Sequence, residues 1–350
     1  MLIIGFDGTE LSPGLASLLE GIQPGGIILF ARNIVSAEQT YKLLKDCQAL
    51  VSHPLFRCID LEGGRVDRLR NVIGPAAAPA EVFATRDPKL FRKHGRVIGE
   101  NCRAVGFNVD FAPTVDLALE ASKSVMSSRA VSADPREVIS YAREFLAGLS
   151  EAGVLGCGKH FPGLGEATLD SHHELPVIEK SLKKLWAEDL VPYRSLRRVF
   201  PFVMVSHAAY PDVTQAATPA SLSRKWISEI LRKKIGYRGL IASDDLEMGG
   251  VLAAASIEQG AVEHIRAGGD LCLICHQEEL VVRAYEELIR EAEDDRGFAR
   301  RVAVAERRVL AFKTKSARLA RWVKAPTPDL VDRLSRRLWE FNEQVRLGGL

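Results

Sequence analysis

The sequence predicts an α/β fold, a (β/α)8 TIM-type barrel in a single domain with a C-terminal helical extension. Three observations predict it. Short apolar runs alternate with longer stretches of helical periodicity. The runs are nearly continuous in hydrophobicity, as suits strands covered on both faces. Polar residues with chemical capacity collect where the runs end, and that is the face on which barrels carry their sites.

Eight runs carry the strand signal: Leu2 to Phe6, Gly26 to Ala31, Phe56 to Asp60, Phe107 to Ala112, Val154 to Lys159, Phe202 to His207, Leu240 to Asp244, and Asp270 to Cys275. Between them, Ser36 followed by Gln39 reads as a capping box. Ser223 reads as the start of a helix carrying Trp226, Ile227, Ile230 and Leu231 and ending before Gly236. An open doubly wound sheet loses its main support, because no Gly-x-Gly-x-x-Gly follows the first run. Residues 1–297 are expected to form the catalytic barrel. In 298–350 the chain turns arginine-rich, with Leu330, Leu334, Leu338, Phe341 and Val345 at helical spacing, which predicts one or two terminal helices packed on the barrel.

Composition narrows the function classes. With 350 residues, 47% hydrophobic and 26% charged, the chain can bury one large core. Lys+Arg 47 against Asp+Glu 45 gives a net charge of +2, too balanced for an electrostatic footprint on nucleic acid or anionic lipid, so neither is expected as a partner. Cys272 and Cys275 lie inside an apolar run and read as buried small hydrophobes rather than as a zinc or redox pair. The first residues lack a basic region and an uninterrupted apolar stretch, and no run reaches bilayer length; a cytoplasmic location is the expectation.

The run ends deliver the candidate site. The third run ends in Asp60 and continues through Glu62-Gly63-Gly64-Arg65-Val66-Asp67-Arg68; the fifth ends in Lys159-His160, the sixth in Ser206-His207 and the seventh in Ser243-Asp244-Asp245. Asp60 reads as an acceptor for sugar hydroxyls, and Lys159 and His160, coming off a buried run, need partners. Gly25-Gly26 and Gly268-Gly269 precede their strands and belong to the opposite, stability face. After the fifth run, a glycine-rich loop leads to Asp170-Ser171-His172. A local turn there would let the Asp170 carboxylate hold one ring nitrogen of His172 and leave the other for proton transfer.

Lys159-His160-Phe161-Pro162-Gly163-x-Gly165, then Asp170-Ser171-His172, then Ser243-Asp244-Asp245-Leu246-x-Met248 resemble the family 3 glycoside hydrolases. Within these the chain looks like the single-barrel β-N-acetylglucosaminidases of bacterial peptidoglycan recycling. The likeness runs from Gly5-Phe6-Asp7-Gly8 through about Cys275 and includes Asp60-x-Glu62-Gly63-Gly64-Arg65-Val66 and Phe111-Ala112-Pro113.

The resemblance implies a retaining exo-glycosidase, with Asp244 as nucleophile and His172, partnered by Asp170, as acid/base. It implies sugar contacts from Asp60, Arg68, Arg129, Lys159 and His160, a small carbohydrate substrate and no cofactor or metal. Two positions depart from the pattern: Leu164 stands where the family usually has histidine, and Ser127-Ser128-Arg129-Ala130-Val131 replaces Gly-Asp-Arg-Ala-Phe. Two other readings compete. A metal-dependent barrel hydrolase would use His160, His207 and Asp244 as ligands; a non-catalytic sugar-binding relative would keep the pocket without turnover.

Overall fold

The computed structural model describes residues 1–169 and 174–348, and in it each of the eight runs contributes one barrel strand. They are β1 Leu2–Ile4, β2 Gly26–Ile28, β3 Phe56–Ile59, β4 Val109–Asp110, β5 Cys157–Phe161, β6 Phe202–Val205, β7 Leu240–Asp245 and β8 Leu271–Ile274. The strands lie parallel in the order β4-β3-β2-β1-β8-β7-β6-β5. The seam between β4 and β5 closes through the parallel bridges Val109 to Leu155 and Thr114 to Lys159. There Asp110 N–H donates to the Leu155 carbonyl at 2.9 Å and Cys157 N–H to that of Ala112 at 2.8 Å. The sheet therefore has no free edge.

All eight strands differ in their bounds from the expected runs, and β5 and β4 differ most. Strand β5 begins at Cys157, later than Val154, and continues to Phe161, so Lys159 and His160 are strand residues rather than the start of a loop. Strand β4 keeps two residues of the run Phe107 to Ala112; Pro113, just beyond it, has no N–H to offer a ladder.

The main helices are α1 Pro13–Ile22, α2 Ala37–Ala49, α3 Pro88–Val105, α4 Pro135–Glu151, α5 Leu190–Leu196, α6 Lys225–Lys234, α7 Ile257–Ala267, α8 Glu278–Asp294, α9 Arg296–Lys315 and α10 Pro328–Gly348. The capping box at α2 forms as expected: Gln39 N–H donates to Ser36 Oγ at 3.1 Å, and Ser36 N–H to Gln39 Oε1 at 3.5 Å. Ser223 does not cap α6 with its side chain. Its carbonyl accepts Ile227 N–H at 3.0 Å, and α6 is a wide helix that closes with Ile235 N–H on the Ile230 carbonyl.

Apolar residues fill two layers. Inside the barrel, Phe56 and Phe111 meet Phe202 edge-on, with centroids 5.2 and 6.3 Å apart. Helix α9 closes the N-terminal mouth by placing Phe312 5.5 Å from Phe202 and 6.1 Å from Phe56. Around the barrel, α10 buries Leu334, Leu338, Phe341 and Val345 from the expected stripe. Phe341 stacks on His94 of α3 at 5.5 Å. The six cysteines are buried free thiols. Among the described residues no helix is long and apolar enough to cross a membrane.

Candidate active site

At the C-terminal ends of the strands lies a pocket of about 280 Å³ that gathers Asp60, Arg68, Arg129, Lys159, His160 and Asp244 in its lining. These are six of the eight residues singled out from the sequence; Asp170 and His172 lie outside the described residues.

The base of the pocket is a network of alternating charge. Lys159 Nζ lies 2.8 Å from Asp60 Oδ1 and 2.7 Å from Glu62 Oε1. Arg129 grips the same Glu62 with two parallel bonds, Nε to Oε2 at 2.9 Å and Nη2 to Oε1 at 2.8 Å, the bidentate geometry that fixes a guanidinium in direction. Thr114 Oγ1 donates to Glu62 Oε2 at 3.2 Å. Burial alone would raise the Glu62 carboxyl, but Arg129 and Lys159 outweigh it and hold the group well below the usual carboxylate range. Burial pulls Lys159 down, Asp60 and Glu62 pull it up further, and the ammonium is held above its ordinary value.

A second acid orients the histidine. Asp116 Oδ2 takes His160 Nδ1–H at 2.7 Å, leaving Nε2 facing Arg129 Nη2 at 3.4 Å. The same carboxylate accepts the backbone N–H of His160 at 3.2 Å and that of Leu164 at 2.8 Å. It therefore sets both the ring and the first turn of the loop after β5. Leu164, one of the two departures from the family pattern, is 3% exposed and lines the pocket with its apolar side chain.

The chain reaches these positions by local necessity. After β3 a short hairpin, Leu61–Gly63 with Val66–Asp67, turns at Gly63 and Gly64 with φ of +93° and +60°. A Cβ on Gly63 would stand 2.2 Å from the Ala77 carbonyl. Buried Asp67 accepts N–H from Leu69 at 3.0 Å and Ala76 at 2.8 Å, fixing the stretch that carries Arg68. The Arg68 guanidinium lies 5.7 Å from the Phe30 ring centroid, and its buried Nε has no hydrogen-bond partner among the described residues.

Asp244 stands half-buried near the end of β7, one Oδ accepting the Asp245 N–H at 2.9 Å. His207 braces this end from β6. Its Nε2–H donates to the Asp245 carbonyl at 2.8 Å, and its Nδ1 meets Ser221 Oγ at 2.7 Å. Burial lowers its proton affinity, as suits a neutral ring. Both nitrogens are thus engaged, and His207 is a strut rather than a ligand waiting for a metal. Among the described residues no group of three or more His, Cys, Asp or Glu is placed to hold one.

The loop between β5 and β6 is anchored at both ends. Tyr210 OH donates to the Gly163 carbonyl at 2.6 Å, and Lys180 Nζ lies 2.6 Å from Asp189 and 3.3 Å from Glu166.

Three residues of the site were not singled out from the sequence. Glu62 appeared only inside a motif, although an acid two residues past a strand end and before paired glycines is a usable signal. Asp116 follows an apolar run and carries no local mark. His276 lines the pocket two residues past β8, where the apolar run has ended in Cys275.

Residues 9–312 match the glycosyl hydrolase family 3 N-terminal domain. The chain belongs to that family. A β-hexosaminidase of Bordetella avium (strain 197N) is 42% identical over 266 residues, covering 73% of this chain and 75% of its own length. A β-hexosaminidase of Idiomarina loihiensis is 36% identical over 279 residues, 79% of this chain and 83% of its own. Among solved structures, a family 3 β-N-acetylglucosaminidase from Paenibacillus sp. str. FPU-7 superimposes with a TM-score of 0.88 at 31% identity, covering 97% of this chain and 67% of that one. A β-N-acetylhexosaminidase from Beutenbergia cavernae gives 0.81 at 26% identity, covering 89% and 96%. This family 3 member is a glycoside hydrolase on a (β/α)8 barrel.

Proposed function

We propose that this family 3 hydrolase is a retaining exo-glycosidase that removes terminal β-linked N-acetylglucosamine from cell-wall muropeptide fragments. Asp244 is its nucleophile and His172, held by Asp170, its acid/base. The observation that carries the reading is that Asp244, at the tip of β7, lines the same pocket as the Lys159, Asp60, Arg129 and His160 cluster. The β-hexosaminidase and β-N-acetylglucosaminidase names of the relatives support the donor sugar.

In the first step an Asp244 carboxylate oxygen bonds to the anomeric carbon while the glycosidic C–O bond breaks, and the leaving oxygen takes a proton from His172. In the second, His172 takes a proton from water, whose oxygen displaces Asp244 and releases the sugar with net retention. Lys159 and Arg129 present donors and Asp60 an acceptor, with His160 held beside them by Asp116, and these are fixed before substrate arrives, so little reorganisation is needed on binding.

The experiment is trapping with an activated fluorosugar that arrests at the glycosyl-enzyme stage, followed by peptide mass mapping. Label on Asp244, with turnover abolished in Asp244→Ala, is expected; label on another carboxylate overturns the assignment. Running the same turnover with and without phosphate identifies the acceptor, and an N-acetylglucosaminyl muropeptide cleaved no better than a simple aryl glucosaminide defeats the natural-substrate reading.

A further inference from the structure

Beyond β8 the chain places His276 in the lining of the pocket that holds Asp244. Its ring stacks on Phe30, centroids 5.3 Å apart and planes 29° off parallel, and its Nε2 lies 3.2 Å from Asp245 Oδ2. Asp245 is bound to the candidate nucleophile by position and by the hydrogen bond from its own N–H to Asp244 Oδ1. The remaining oxygen of Asp245 accepts Glu247 N–H at 3.1 Å. Glu247 accepts in turn from the backbone N–H of His276 at 2.6 Å and of Gln277 at 3.2 Å. The ends of β7 and β8 are thereby laced together beside Asp244.

The charge pattern gives this lacing a direction. Asp244, Asp245 and Glu247 place three carboxyl groups within four residues at one strand end, and neighbouring like charges disfavour one another. The groups around the His276 ring are Asp245 and Glu247 from the β7 end and Arg32 from the turn after β2; Arg32 is itself paired with Asp7 at 3.0 Å. Arg68 reaches the same Phe30 ring from the β3 hairpin, and Glu278 begins α8. The hydrogen bond with Asp245 is the largest influence, and it lifts the imidazole above its ordinary value against partial burial and Arg32.

We propose that His276, through its ion pair with Asp245, is a positioning residue that holds Asp244 in line for attack; this rests on Asp244 being the nucleophile. The protonated ring compensates Asp245, so that Asp244 is not pushed aside by its neighbour. When the ring loses its proton the tie weakens, Asp245 faces Asp244 uncompensated, and a nucleophile displaced by a fraction of an ångström loses much of its rate. Because the groups touched are on the enzyme and not the sugar, the loss falls on kcat with KM little changed.

The test is kcat/KM across about pH 5 to 9 for wild type, His276→Gln and Asp245→Asn on a dinitrophenyl β-N-acetylglucosaminide. That leaving group departs without a proton, so His172 drops out of the profile for the first step. Each variant is expected to lose about tenfold in kcat, and His276→Gln to lose the alkaline limb. In parallel, proton NMR follows the His276 ring, which should titrate above the ordinary histidine value in wild type and return to it in Asp245→Asn. An alkaline limb unchanged in His276→Gln, a rise in KM alone, or a ring titration indifferent to Asp245→Asn would overturn the proposal. Should wild type turn over no N-acetylglucosaminide at any pH, the proposed function fails instead, and the NMR arm decides the ion pair alone.

Discussion

Lys159 and Lys313 sit at opposite mouths of the barrel, 2% and 6% exposed, and burial pulls both ammonium groups in the same direction. At the C-terminal mouth Lys159 faces Asp60 and Glu62 and stays firmly charged. At the N-terminal mouth Lys313 of α9 meets neutral groups: it donates to the Gly25 carbonyl at 2.7 Å, lies 2.9 Å from His53 Nδ1 and sits 4.7 Å over the Phe56 ring. Its proton affinity falls to about 7, with burial the leading cause. What decides the charge of a buried lysine here is the presence of carboxylates, and this barrel spends its buried carboxylate–lysine pairing at the mouth that holds the candidate site. The cluster proposed to bind sugar needs fixed charge; a floor plug does not.

The largest effect should come from breaking the paired end. Lys159→Met leaves Asp60 without its cation and Glu62 with only Arg129, and uncompensated buried charge costs about 3–5 kcal/mol. Urea denaturation should show that loss together with collapse of turnover. Adding Asp60→Asn should return part of the stability but none of the activity, because the double variant removes the orphaned charge without restoring the donor. Additive losses would mean the network is worth no more than its separate contacts.

The unpaired end predicts a pH signature of moderate size. An unfolded lysine titrates near its ordinary value, about 10.4, while folded Lys313 does so at about 7. Between these values the unfolded chain binds the extra proton, so raising pH favours the native state by up to about 1.4 kcal/mol per pH unit. That contribution is present in full above the unfolded value and is lost as pH falls toward 7. Urea midpoints measured near pH 7 and near pH 9 should diverge in wild type and converge in Lys313→Met. A slope that survives the substitution would place its origin in another group.

The two ends also differ in how much of them could be read in advance. Eight continuous apolar runs ending in polar clusters are a local signal, and they marked the barrel and the strand ends where Asp60, Lys159 and Asp244 stand. Partnerships are long-range and left no such trace. Asp116 orients His160 from 44 residues away, and Lys313 reaches Gly25 across 288; neither spacing has a period. Ser223 misled for the opposite reason. It has the right chemistry for a cap, but it enters the helix only through its carbonyl, which accepts Ile227 N–H, and α6 begins at Lys225. Asp170 and His172 rest on their motif, and they lie outside the described residues.

The smallest effect is the one that isolates charge from contact. Thr114 gives Glu62 a neutral hydrogen bond at 3.2 Å in the same buried network where Lys159 and Arg129 give charged ones. Thr114→Val keeps shape and volume, removes that one donor, and leaves Glu62 held by both cations. A single neutral bond of this kind is worth about 1 kcal/mol, so thermal or urea unfolding should register a loss of that order, with turnover nearly unchanged. If instead Thr114→Val cost as much as Lys159→Met, the stability of the C-terminal mouth would come from packing and hydrogen-bond count rather than from ion pairing. The contrast between the two lysines would then reflect depth alone.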